Sequence, residues 1–375
     1  MLFPETEEIR QITFNGANPT FGNQNVQLRI PRQSRWLSDI LIHVNVTITN
    51  GTVAATAPTA NRDYLEGLLS EVRLRISDKA GPNRLAVKAP SSTLIAWHYS
   101  TNPAVDRYTQ RILRNASVYP TAISGTVTLD LFVPIHLRHP AVGEPIGVRT
   151  CLPLFSDSQT GLSDDAILEL DFASQANAIP GYALGGSGGS ITINRVTAKL
   201  IYVNAPQTIT YIPQELVADL PSITASTASG YDIPRQGLLS SLMFEEFVDT
   251  AYVQRGTALA SNNGSHNYSL KYARTSIKDF YPAEVTVRAD WFSVPKPDNG
   301  ATEVVGQIPY LSFVDLLNPR PNDNAFSGAS LLNLYGDQQG DLARLEWTGL
   351  ASSSARIRLT RHKFFTTNPA DLAGA

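Results

Sequence analysis

The sequence predicts an all-β protein made of two tandem sandwich or jelly-roll domains, with a few short helices in loops. Three observations carry this. Apolar and polar residues alternate along many short segments in both halves of the chain, which is the period of a strand with one buried face. Strand–helix–strand units are scarce, which argues against a parallel sheet. The 375 residues also break once, near 205–236, leaving halves of a size that suits one eight-stranded roll each.

The first half shows the alternation most clearly. Ile42, Val44, Val46 and Ile48 share one face of a long strand, opposite His43, Asn45, Thr47 and Thr49. Val72, Leu74 and Ile76 alternate with Arg73 and Arg75, and Val127, Leu129, Leu131 and Val133 with Thr128 and Asp130. Leu168, Leu170 and Phe172 alternate with Glu169 and Asp171, and Val196, Ala198, Leu200 and Tyr202 form a further set. The second half repeats the habit in Val285 to Trp291, Ala343 to Trp347 and Ala355 to Leu359. Turn residues such as Gly81-Pro82-Asn83 and Asn318-Pro319 punctuate these runs. Helical signals are few. Ser91 or Ser92 caps a short helix through Leu94, Ile95 and Trp97, and Thr275 to Phe280 is read as a helical turn or two.

These patterns give an N-terminal arm over 1–25, a first domain over 26–206, a linker over 207–236, a second domain over 237–365 and a C-terminal tail over 366–375. The linker follows Ala205-Pro206 and is marked by Pro213, Pro221 and the Ser/Thr/Ala-rich run from Ser222 to Gly230. The stretches Thr52 to Ala60, Gly181 to Gly189 and Ser352 to Ser354 read as loops.

Composition narrows the function. Apolar residues make up 42% and charged residues only 17%, below the roughly 25% usual for soluble proteins. A protein that hides much of its surface against its own copies shows such a deficit. The net charge of −3 and the acidic start (Glu5, Glu7, Glu8) lack the basic excess of a genome-packing protein. The lone Cys151 forms no internal disulfide and reads as buried filler. No signal-peptide pattern opens the chain, and no apolar run reaches membrane-span length. Asn-x-Ser/Thr triplets at Asn45, Asn50, Asn115, Asn263 and Asn267 are expected by chance in so Asn- and Ser-rich a chain.

No catalytic, cofactor or metal residue is assigned. Gly185-Gly186-Ser187-Gly188-Gly189 matches a nucleophile-elbow pattern, but a strand follows it rather than a helix, so it reads as a loop. His136-x-x-His139 has metal-ligand character without a third ligand at suggestive spacing. Asp164-Asp165 and Glu245-Glu246 read as solvated acid pairs. Arg356, Arg358, Arg361, His362 and Lys363 form the most basic stretch, read as an exposed strand face paired with acidic neighbours rather than as a phosphate site. Trp36, Trp97, Trp291 and Trp347 are spread as core anchors, not as a stacking series for single-stranded nucleic acid.

The order of segments resembles the double jelly-roll major capsid proteins of tailless, internal-membrane-containing icosahedral viruses, the tectivirus type. The likeness lies in Trp36-Leu37-Ser38-Asp39-Ile40 leading into a long strand, in Leu131-Phe132-Val133-Pro134-Ile135 and in Leu168-Glu169-Leu170-Asp171-Phe172. It continues in the connector from Tyr211-Ile212-Pro213-Gln214-Glu215 to Leu220-Pro221, and in the last strand, Ala355 to Phe365. The resemblance implies two tandem eight-stranded antiparallel jelly rolls per chain and a homotrimer of six rolls that tiles an icosahedral virion shell. It implies penton and minor capsid proteins as further partners, and an internal viral membrane beneath the shell. No sequence-specific nucleic-acid contact, cofactor or enzyme activity is expected. Some such proteins carry a long N-terminal helix that reaches the membrane; this chain has only a short arm. The competing readings are a surface carbohydrate-binding sandwich, which calls for exposed aromatic platforms, and a sandwich hydrolase, which calls for convergent carboxylates or a serine with partners.

Overall fold

A strand whose alternate residues are β-branched and apolar is stable only between two neighbours and over a core. Trp36–Thr49 is that strand (β3). Ile40, Ile42, Val44, Val46 and Ile48 are all fully buried on one face. Its two edges pair antiparallel with Thr126–His136 (β6) and Ser190–Val203 (β9). The computed structural model describes residues 3–58, 64–101, 113, 115–138, 146–155, 161–179, 181–219, 229–248, 251–252, 267–272, 275–280, 310–312, 332–335, 343–348 and 355–366. The chain divides into two compact units, Met1–Pro213 and Gln214–Ala375.

Unit 1 adds Glu5–Gln11 (β1), Val26–Ile30 (β2), Leu69–Asp78 (β4), Gly81–Ala89 (β5), the two-residue Leu152–Pro153 (β7) and Ala166–Phe172 (β8). Its helices are short: Ser91–Thr101 (α1), Ile146–Thr150 (α2) and Gln175–Ala178 (α3). Setting β7 aside, the eight strands wind up as one long folded hairpin. The first pairs with the last (β1–β9), the second with the seventh (β2–β8), the third with the sixth (β3–β6) and the fourth with the fifth (β4–β5). The cross-pairs β3–β9 and β4–β8 complete two sheets, ordered β1-β9-β3-β6 and β5-β4-β8-β2. This is the winding of a jelly roll.

Unit 2 repeats it. Gln214–Asp219 (β10), Ser229–Asp232 (β11), Leu238–Val248 (β12), Asn267–Tyr272 (β14), Thr275–Phe280 (β15), Tyr310–Ser312 (β16), Ala343–Thr348 (β18) and Ala355–Phe364 (β19) take the eight places. The pairs β10–β19, β11–β18, β12–β16 and β14–β15 recur, with the cross-pairs β12–β19 and β14–β18. Two-residue strands Ala251–Tyr252 (β13) and Leu332–Asn333 (β17) also pair with β12. Leu239, Leu242, Leu270, Leu345, Trp347, Ile357 and Leu359 fill the core.

The alternation read from sequence matches the burial. Leu129, Leu131 and Val133 point inward, as do Leu168, Leu170 and Phe172, and Ala343, Leu345 and Trp347. Trp36, Trp97 and Trp347 are buried, with Trp36 set edge-on to Phe155 at 5.2 Å between centroids. Trp291 and the run Val285 to Trp291 lie outside the described residues. Helix α1 forms where its Ser-Ser start predicts it.

Three segments differ from the sequence reading. Residues 5–11, assigned to an arm, form the first strand of unit 1. They have no apolar face to betray them, because backbone pairing and polar contacts hold them, with Lys199 to Glu7 at 2.7 Å and Tyr202 to Glu8 at 3.0 Å. Ile9, their sole aliphatic residue, is 68% exposed. Within 207–236, assigned to a linker, β10 and β11 are the first two strands of unit 2, which begins at Gln214. Thr275–Phe280, read as helical, is strand β15; pairing with β14 overrides its weak local preference.

Candidate functional site

The glycine loop that mimics a nucleophile elbow is held by Asn50, a residue 2% exposed at the end of β3. Asn50 Nδ2 donates to the carbonyls of Val53 at 3.0 Å, Thr121 at 3.2 Å and Ala122 at 2.7 Å. Its Oδ1 accepts from the backbone N–H groups of Gly51 and Gly185, both at 2.8 Å. One side chain thus pins three loops. The glycines serve that approach: a Cβ on Gly185 would lie 1.9 Å from the Val53 carbonyl oxygen, and one on Gly51 2.1 Å from that of Gly185. Gly186 and Gly188 take positive φ, +69° and +82°. Ser187 sits on an exposed turn feeding β9, a strand, so the loop reading holds.

His136, at the end of β6, is already engaged. Its Nδ1 meets Asp39 Oδ1 at 2.6 Å, and its Nε2 contacts His98 Nδ1 of α1. The two rings stack at 4.5 Å between centroids. His139 lies outside the described residues. Among the described residues no three His, Cys, Asp or Glu side chains converge to hold a metal. Cys151 is fully buried, and burial pushes its thiol well up.

The acid pairs divide. Asp165 accepts from the Arg32 backbone N–H at 3.1 Å and from the Arg29 guanidinium. Of Glu245-Glu246 only the backbone, in β12, lies within the description.

The end of the basic stretch, Arg361 to Lys363, is paired with acids, as expected, but it is buried rather than exposed. Arg361 is 7% and Lys363 2% exposed. Lys363 Nζ meets Glu215 at 2.9 Å; Arg361 reaches Glu215 at 3.2 Å and also binds Asp219. Tyr231 completes the cluster, donating to Asp219 at 2.6 Å. Burial lowers the Lys363 ammonium from its ordinary value, against the opposing pull of Glu215. These cations are neutralised within unit 2.

Sequence reasoning missed a chain of polar groups beside them. Ser240 Oγ meets His362 Nδ1 at 2.5 Å, and His362 Nε2 meets Gln214 Oε1 at 2.8 Å. A serine and a histidine in contact invite a hydrolase reading. The third member is a neutral amide, however, and Ser240 and His362 are 0% and 2% exposed, so no substrate reaches them. The alternate face of β8 was missed too. Glu169 and Asp171 are covered by Arg73, at 2.8 and 2.9 Å, while Arg75 reaches Glu169 at 2.9 Å. The same arginine signal lay in Arg73 and Arg75, since unlike charges on neighbouring strands pair across them.

No protein-family pattern and no curated protein of similar sequence matches the chain. Solved structures do. The PBCV-1 virus capsid matches at 16% identity and a TM-score of 0.61, covering 100% of this chain and 97% of that one. The chain has a double jelly-roll fold, like that of viral major capsid proteins. Sulfolobus Turreted Icosahedral Virus supplies a double jelly roll at 14% identity and a TM-score of 0.59, covering 98% of this chain and 92% of that one. The Faustovirus major capsid protein matches at 10% and 0.56, covering 98% and 91%.

Proposed function

We propose that this double jelly roll is the major capsid protein of an icosahedral virus and that it works as a shell tile rather than as an enzyme. One observation carries the reading. The same eight-strand winding occurs twice in one chain, and the match to capsid structures runs end to end rather than over a shared domain. The clusters that look chemical in the sequence support it, because each is spent on packing: the glycine loop on Asn50, the basic strand on Glu215 and Asp219, and the serine–histidine pair on a sealed core.

The working unit is a homotrimer. Two rolls per chain give six around a three-fold axis, a pseudo-hexagonal outline that fills a lattice by reuse of one surface. The trimer joins others in the virion shell, with penton and minor capsid proteins at special positions and an internal membrane beneath, after assembly in the host cytoplasm. The tail 366–375 clamps neighbouring subunits; deleting it leaves trimers intact and lowers shell yield, and an unchanged yield removes that role. Light scattering of the purified chain tests the capsomer directly. Three chain masses, followed by hexagonal particles in electron micrographs, support it; a monomer across a concentration series overturns it.

A further inference from the structure

We propose that the outer edge of β1 joins two copies of this chain, by antiparallel pairing of β1 with itself about a two-fold axis at Ile9; this rests on the trimer reading above and names the contact between one trimer and the next. The register of β1 on β9 decides which of its backbone groups are free. Ile12 N donates to Val196 O at 2.9 Å and Asn204 N to Pro4 O at 3.0 Å, so the even-numbered residues bond to β9. In an antiparallel ladder the alternate residues turn the other way. Glu5, Glu7, Ile9 and Gln11 therefore point both N–H and C=O away from the sheet. All four are exposed, and these backbone groups have no partner among the described residues.

A free strand edge is a template for another strand unless proline, a bulge, charge or a cover blocks it. The other edge of this sheet is blocked twice. Leu137 N donates to Ser38 O and Asn50 N to Gly125 O, both at 2.8 Å, so the odd-numbered residues of β6 bond to β3. Pro134 then stands on the outer side, where it offers no N–H. Helix α1 also packs on β6, through His98 and His136. Strand β1 has neither proline nor register shift. Its charges are already paired: Glu5 meets Arg138 at 3.1 Å, Glu7 meets Lys199 at 2.7 Å and Glu8 meets Arg10 at 2.8 Å. Ile9 stands between them, 68% exposed.

Charge selects the occupant. An antiparallel partner sets outward residue against outward residue, and side chains directly opposite share a face. When the partner is a second β1, a centre at Glu7, Glu8 or Arg10 sets that charge against its own copy, and a centre at Thr6 sets Glu5 against Glu7. A centre at either end of the strand leaves almost no overlap. A centre at Ile9 avoids every like pair: Ile9 meets Ile9, Glu8 meets Arg10 and Glu7 meets Gln11. The Glu8–Arg10 pair of each chain thus faces its inverted copy, and unlike charges alternate across the axis. Complementarity to its own reversed copy is what an isologous contact requires of a surface. Such a contact has two-fold symmetry and cannot close a ring of three, so it lies between trimers. One short strand pair is weak alone, and repetition over a shell supplies the strength.

The test uses the full chain after its oligomer mass is known. Because Cys151 is fully buried, Ile9→Cys introduces the reactive surface thiol. Diamide treatment of concentrated trimers is expected to link chains in pairs and to raise the particle mass beyond one trimer. Glu7→Cys is expected to stay unlinked, since its own copy would lie about 13 Å away along the strand. Ile9→Pro removes an outward N–H and no bond to β9; trimers are expected to form and their further association to be lost. Arg10→Glu sets like charges across the axis and is expected to weaken that association at least about tenfold, and Glu8→Arg with Arg10→Glu to restore it. Concentrated trimers that stay single, that associate without linking through Ile9→Cys, or whose association Arg10→Glu leaves untouched, overturn the self-pairing and spare the capsomer. An Ile9→Pro chain that keeps the parent's circular dichroism but no longer forms trimers places this edge inside the trimer and overturns the two-fold contact. A wild-type monomer removes both proposals.

Discussion

Tyr231 and Asp219 join the two sheets of unit 2: the hydroxyl on β11 donates to the carboxylate on β10 at 2.6 Å. Asp219 also binds Arg361 of β19. The second strand of the roll is thereby fastened to the first and the last through one carboxylate, within the cluster that Glu215 and Lys363 complete. Burial raises the Tyr231 hydroxyl above its ordinary value, which keeps it a proton donor throughout the neutral range.

Removing one partner from this cluster strands a buried charge. Glu215→Gln leaves Lys363, at 2% exposure, without its carboxylate. The expected loss is about 3–5 kcal/mol, read from the urea midpoint of the full chain. Adding Lys363→Met is expected to restore most of it; a single variant as stable as the parent would show that the pair contributes nothing.

Asn50→Ala removes five hydrogen bonds at once and takes the acceptor from the N–H groups of Gly51 and Gly185, while the carbonyls of Thr121 and Ala122 keep the N–H groups of Ala55 and Gly125. We expect roughly 2–4 kcal/mol of destabilisation, from an unsatisfied-group cost of about 1–3 kcal/mol apiece partly relieved by water. Thermal unfolding measures it, and a shift of less than a degree would contradict the pinning role.

The glycine loop gives a sharper contrast. Gly185→Ala forces a Cβ into the Val53 carbonyl and is expected to cost more than Gly188→Ala, whose Cβ meets nothing within 4 Å and faces only an unfavourable φ. About 1–3 kcal/mol separates an overpacked from an open site. Ser187→Ala is expected to leave stability unchanged. Equal effects at 185 and 188 would mean that close approach is not what selects glycine here.

Acid stability follows from Asp165. The Arg32 backbone N–H holds its carboxyl below the ordinary 3.8; burial opposes this, and the Arg29 guanidinium adds to the lowering. The folded value is depressed, so this stabilisation is fully present above the unfolded value and is lost as pH falls through the folded one. Denaturation midpoints from pH 7 to pH 2.5 are expected to decline below about pH 4, and Asp165→Asn to flatten that decline. A variant with the parent's slope would exclude the contribution.

Much of this was legible in the sequence because burial imposes a period of two. Ile40 to Ile48 and Leu168 to Phe172 announce their strands for that reason. Strand β1 was not legible, since Glu5 to Gln11 pairs through backbone and ion pairs and keeps no apolar face. The start of unit 2 was hidden by polar residues that look like linker but pack against partners distant in sequence: Gln214, buried against His362, and Glu215, half-buried against Lys363. Asn50 was visible only as a glycosylation triplet, because nothing local says that loops beginning some 70 and 135 residues later will close upon it.

The place of β19 reaches back to how the protein is made. It lies between β12 and β10 rather than at a margin, and pairs with both. Unit 1 has all of its described strands once residue 203 has left the ribosome, whereas unit 2 lacks a central one until residue 364 has followed. A chain that stops before residue 355 therefore carries the strands of the first roll but lacks a central strand of the second. The two rolls of one chain thus differ in kind: the first closes on strands made before it ends, the second on the strand made last.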